Sequence, residues 1–185
     1  MRTILRFCII AAIIIVSGCM FESEHELWSL SSGGQLPLQS GNYTCIFFDQ
    51  SENGKPSVSG NYHIQEHKKG STFWYVALDK AGHKSFPITF HHVRDDVFIA
   101  AYGRRDGKPG EFISLAWASA DYGIAFGSAA NEQIAMLSAK HNVEISGPAG
   151  DSSLKGTPTD EKAFLEDLTN NLEKAQTVTH CVHQI

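Results

Sequence analysis

The chain has 185 residues, of which 42% are hydrophobic, and carries 15 Lys+Arg against 20 Asp+Glu. That apolar content supplies a real core and disfavours a disordered chain. A formal net charge of −5 argues against nucleic acid as a partner and against electrostatic attraction to anionic lipid.

The N-terminus carries Arg2 and Arg6, then an unbroken apolar run from Phe7 to Val16. The run is about ten residues, where a spanning helix needs roughly twenty, so it reads as a processed leader and not a permanent span. It closes on Val16-Ser17-Gly18-Cys19. This segment, residues 1–19 only, resembles the lipobox signal peptide of bacterial lipoproteins. The resemblance implies cleavage before Cys19 and acylation of its thiol and new amine. One acyl chain holds a protein marginally, and two or three hold it firmly, at roughly 0.8 kcal/mol per buried methylene. Met20 in place of an aspartate implies sorting to the outer membrane, facing the periplasm. Residues 1–18 are thus read as the signal peptide, 19–40 as a lipidated N-terminus and tether, and 41–185 as one globular domain.

Loss of residues 1–18 leaves 185 − 18 = 167 residues and 15 − 2 = 13 basic against 20 acidic side chains, a balance of 13 − 20 = −7. Membrane contact then depends on the anchor. Of four cysteines, Cys8 leaves with the leader and Cys19 carries lipid. Cys45 and Cys181 remain in an oxidising compartment and are expected to pair, the alternative being two separate thiols. The long loop they close would contribute roughly 5 kcal/mol by chain entropy. Two distant cysteines do not make a zinc site.

Residues 20–40 hold three glutamates, Ser31-Ser32-Gly33-Gly34 and Pro37 without a sustained period. They read as a tether, with Leu27, Trp28 and Leu30 docking on the domain. From Gly41 the pattern alternates with period two. Strands are expected at Tyr43–Phe48, Tyr62–Glu66, Thr72–Leu78, Phe86–Val93, Val97–Tyr102, Phe112–Ala118 and Tyr122–Phe126. Their connections are turn clusters such as residues 51–56 and 79–82. Seven short strands with hairpin-length links predict an antiparallel meander forming a curled sheet, barrel or sandwich, packed by one or two helices.

Asn131–Lys140 reads as a short helix capped by Asn131 or Ser128. Val143–Ile145 is one more strand, and residues 147–156 are a loop. Thr157-Pro158-Thr159-Asp160 then opens the clearest helix, with threonine as cap and proline at the first helical position. Phe164, Leu165, Leu168, Leu172 and Ala175 form an apolar stripe expected to pack on the sheet. Cys181 beyond it reaches back to Cys45. The fold class is mainly β with a C-terminal helix.

Three patterns invite chemistry. His63-Ile64-Gln65-Glu66-His67 spells H-x-x-E-H, which binds zinc only on a helix. A strand puts its histidines roughly 13 Å apart and Glu66 on the other face. His91-His92 and His180-Cys181-Val182-His183 offer metal ligands in type. However, a bonded Cys181 cannot ligate, and adjacent strand residues face opposite ways. Gly103-Arg104-Arg105-Asp106-Gly107-Lys108-Pro109 has proline where a phosphate loop needs Ser/Thr, so it reads as a basic hairpin loop. No G-x-S-x-G occurs. The chain therefore reads as a non-enzymatic binding or assembly module of the bacterial envelope, with no metal and no cofactor. The alternative is a β-barrel carrier of a small apolar ligand, and the expected partners are the membrane, an envelope protein or that ligand.

Overall fold

The computed structural model describes residues 20–28, 32–49, 55–85, 87–103, 109–147, 151–172 and 175–184. The described strands are β1 (Met20–Ser23), β2 (Gly41–Asp49), β3 (Lys55–Lys69), β4 (Thr72–Leu78), β5 (Ile88–Arg94), β6 (Val97–Gly103), β7 (Glu111–Ser119), β8 (Gly123–Ala129), β9 (Glu144–Ser146), β10 (Asp151–Lys155) and β11 (Ala175–His183). With them are helices α1 (Asn131–Lys140) and α2 (Pro158–Asn170). β2 to β8 run as a meander, and β11 fits between β8 and β2 to close an eight-stranded antiparallel barrel. Of the curled sheet, barrel and sandwich, the chain forms the barrel.

Alternation builds the barrel interior. Tyr43, Cys45 and Phe47 of β2, Tyr75 and Ala77 of β4, Phe98, Ala100 and Tyr102 of β6, and Ile124 and Phe126 of β8 form one buried cluster. β6 and β7 are apolar on both faces, as strands covered on both sides must be. Their outward residues Ile99, Ala101, Ile113 and Leu115 meet Phe164, Leu165 and Leu168 of α2 in a second cluster. α2 starts as its residues dictate: the Thr157 hydroxyl accepts the Asp160 N–H at 3.2 Å, with Pro158 in the first turn.

Several local expectations change. Leu27 and Trp28 are buried as the expected docking requires, but residues 20–40 are more than a docked tether: β1 pairs antiparallel with β7 and parallel with β10, and Phe21 and Leu36 are buried as well. Their pattern has no period because their partners are scattered along the chain. Leu30 lies outside the described residues. The loop 147–156 contains β10. α2 stops at Asn170, where the Asn171 side chain bonds the Asp167 carbonyl at 2.9 Å, so Ala175 belongs to β11 and not to the helical stripe. The β-branched run Thr177-Val178-Thr179 favours that strand. Pro56 lies in β3 beside the bulge at Ser57, where Phe47 pairs with Val58 and Phe48 with Pro56, a position where proline is tolerated in a sheet. Finally, α1 is preceded by Ala130 at the cap position, with no side-chain cap from Asn131 or Ser128.

Candidate functional site

Residues 1–18, read above as a signal peptide, and Cys19, read as the lipidation site, lie outside the described residues. The described chain begins one residue later, already in β1, with Met20 opposite Asp151 and Phe21 opposite Ile113. Residues 23–28 are clasped tightly onto the domain. Ser23 donates to the Glu161 carboxylate at 2.5 Å, which also accepts the Gly156 N–H at 2.9 Å. The Glu111 carboxylate accepts the N–H groups of Leu27 at 3.2 Å and Trp28 at 3.0 Å. Burial pushes Glu111 up to about 7; the two N–H groups and Lys162 oppose the rise, and Glu26 adds to it. The Trp28 ring lies 6.0 Å from His91 and 5.6 Å from the Lys162 ammonium. Burial, with Lys162 nearby, holds His91 down at about 4.

Further along, the segment enters the barrel wall. β4 and β5 share one ladder pair, Tyr75 with Ile88, and the chain fills the gap between them. Phe73 donates its N–H to the Gly33 carbonyl at 2.9 Å, and Gly34 donates to the Phe90 carbonyl at 2.8 Å. A Cβ on Gly33 would stand 2.3 Å from the Phe73 carbonyl oxygen, so only glycine fits. Leu36 donates its N–H to the Tyr75 hydroxyl at 2.8 Å and places its side chain in the barrel core.

Within the barrel, Cys45 and Cys181 stand directly opposite each other on β2 and β11, with their sulfurs 2.05 Å apart. The space beside them, bounded by Leu36, Leu38, Tyr75, Phe90 and Phe126, is about 30 Å³. That is far below the roughly 300 Å³ at which small-molecule sites begin. An open hollow of about 420 Å³ lies outside, between β3 and the turn after β4, lined by Ser59, Asn61, Tyr62, Asp79 and Lys80.

The histidine patterns dissolve into separate contacts. His63, Glu66 and His67 lie on strand β3 as the alternation predicts. The His63 ring is 2.9 Å from Asn42, Glu66 accepts from Tyr75 at 2.9 Å, and His67 stacks on Trp74 at 5.5 Å. His91 meets Trp28 while His92 meets Phe98. His180 lies 2.8 Å from the Tyr122 carbonyl, and His183 packs on Tyr43. Among the described residues no group of three or more His, Cys, Asp or Glu is placed to hold a metal. Residues 104–108 of the basic loop lie outside the described residues.

Sequence reading missed Glu111, Glu161, Gly33 and Leu36. One signal was available for Glu111, an acid just after a glycine that opens the run Glu111–Ala118, apolar beyond it but for Ser114.

The architecture is thus a small, filled antiparallel barrel with two helices on one flank and its N-terminal segment stitched into the wall. No known family, curated protein or solved structure matches the chain.

Proposed function

We propose that the protein is a lipid-anchored bacterial envelope lipoprotein whose barrel acts as a non-enzymatic binding or assembly module. The observation that carries this is Val16-Ser17-Gly18-Cys19 at the end of a short, positively flanked apolar run. The anchor sits at the outer membrane, facing the periplasm. The filled interior favours partners that engage the outer surface over a ligand held inside. A carrier role would require Leu36 and Leu38 to vacate the barrel. The test is Cys19→Ala. The parent is expected to partition into detergent, whereas the variant accumulates as unprocessed or soluble protein. Detergent partitioning that survives the change refutes the anchor. Pull-down of the lipidated protein from its native envelope then identifies the partner.

A further inference from the structure

We propose that the barrel holds a latent binding site, an apolar pocket that Leu36 and Leu38 fill in this structure. Its ligand is a single aliphatic chain with a neutral head that donates a hydrogen bond. The site goes beyond any partner on the outer surface and does not depend on the anchor.

The two leucines differ in origin from the side chains around them. Cys45, Phe90, Ile124 and Phe126 reach the small space beside them from barrel strands. Leu36 and Leu38 come from residues 33–40, which form neither helix nor strand. An eight-stranded barrel is about wide enough for its side chains to fill it or for one small ligand. Here a segment outside the ladders supplies part of the filling. The lining side chains are aliphatic or aromatic, apart from the bonded cysteines. A ligand that takes the place of the leucines must therefore be apolar and of about their combined bulk.

The way in is the seam between β4 and β5. These strands keep only the pair Tyr75–Ile88, whereas ladders close the other barrel seams. Residues 33–36 seal the slot outside any ladder: the Gly33 carbonyl accepts the Phe73 N–H, Gly34 donates to the Phe90 carbonyl, and Leu36 donates to the Tyr75 hydroxyl. The Gln35 side chain adds an exposed contact to Glu66 at 3.3 Å. Just beyond, the Tyr43 hydroxyl donates to the Gln39 carbonyl at 2.7 Å, and the Glu66 N–H to the Ser40 hydroxyl at 3.0 Å. These last two bonds pin the end of the segment. Residues 33–38 can withdraw while the barrel strands stay paired.

The slot also selects the head group. The Tyr75 hydroxyl donates to Glu66 at 2.9 Å and accepts from Leu36. Withdrawal of Leu36 leaves that oxygen without its donor, and a buried polar group needs a partner. An alcohol restores the bond. An ionised carboxylate has no proton to donate and would stand beside the Glu66 carboxylate. Lys68, on the same face of β3, already lies over the Phe73 ring at 4.8 Å.

The test follows amide hydrogen exchange in the full chain with n-octanol, and with octanoate as the charged analogue. Octanol should speed exchange at Gly34, Leu36 and Phe73 severalfold, to a plateau, while β6 and β7 are unchanged. Octanoate at the same concentration should do much less. Gly33→Val, which displaces the segment in advance, should bind octanol severalfold more tightly by calorimetry, because the open form no longer has to be populated first. Unchanged exchange at 33–38, an increase shared by β6 and β7, or equal affinity in the two proteins overturns the latent site. Octanoate that matches octanol overturns the choice of head group.

Discussion

Glu111 is the side chain whose protonation the fold changes most consequentially. The residue is 2% exposed and burial raises its carboxyl to about 7, so folding favours the protonated form. Stability from this group is therefore fully present below the ordinary carboxylate range and is lost as pH rises through about 7. At about 1.4 kcal/mol per pKa unit the loss is on the order of 3 kcal/mol. His91 acts in the other direction. Held down at about 4, it contributes stability above its ordinary range that is lost as pH falls toward 4. The two trends oppose each other between about 4.5 and 6.5, so the parent alone hides both. Glu111→Gln isolates one of them: it keeps an acceptor for the Leu27 and Trp28 N–H groups and removes the charge. Thermal melts at pH 5 and pH 8 should show the variant gaining on the parent as pH rises. A constant difference across that range contradicts the buried-carboxylate account.

At the scale of elements, residues 32–36 behave as part of the barrel wall, because β4 and β5 separate beyond their single ladder pair and the gap leaves backbone groups to satisfy. Gly33→Val should drive the segment out of the gap through its clash with the Phe73 carbonyl. Leu36→Ala should cost about 2–5 kcal/mol, as for a buried leucine whose site cannot fully collapse. Urea unfolding measures both, and limited proteolysis should cut the Gly33→Val variant within residues 24–40 before the rest of the barrel. Equal stability of both variants with the parent would mean that the wedge contributes nothing to the wall.

For the whole molecule, closure depends on the last strand meeting the first strand of the barrel. β11 lies between β2 and β8, and the bonded pair Cys45–Cys181 spans 136 residues at that seam. Replacing both cysteines with alanine should lower the unfolding free energy by up to about 5 kcal/mol and broaden the path to an open sheet. Alkylation of denatured, non-reduced mature protein should find neither thiol free. Two alkylated cysteines would contradict the bond.

The sequence by itself determined the elements whose signals are local. Period-two alternation marked β2 to β8, and Thr157-Pro158 marked the start of α2. The Phe164–Leu168 stripe marked its buried face, and Cys45 and Cys181 as the two cysteines beyond residue 19 suggested the pairing. It also placed His63 and His67 on one strand, because alternation is a local property. Only the tertiary structure decided between barrel and sandwich, since closure depends on β11 finding β2 and β8 far away in sequence. The same holds for residues 20–40. Glu111, Glu161, Tyr75 and the β4–β5 gap each hold one part of that segment, and no spacing within it records partners scattered along the chain. Long-range contacts made one residue at a time leave no period, and that is why a segment read as a tether became part of the fold.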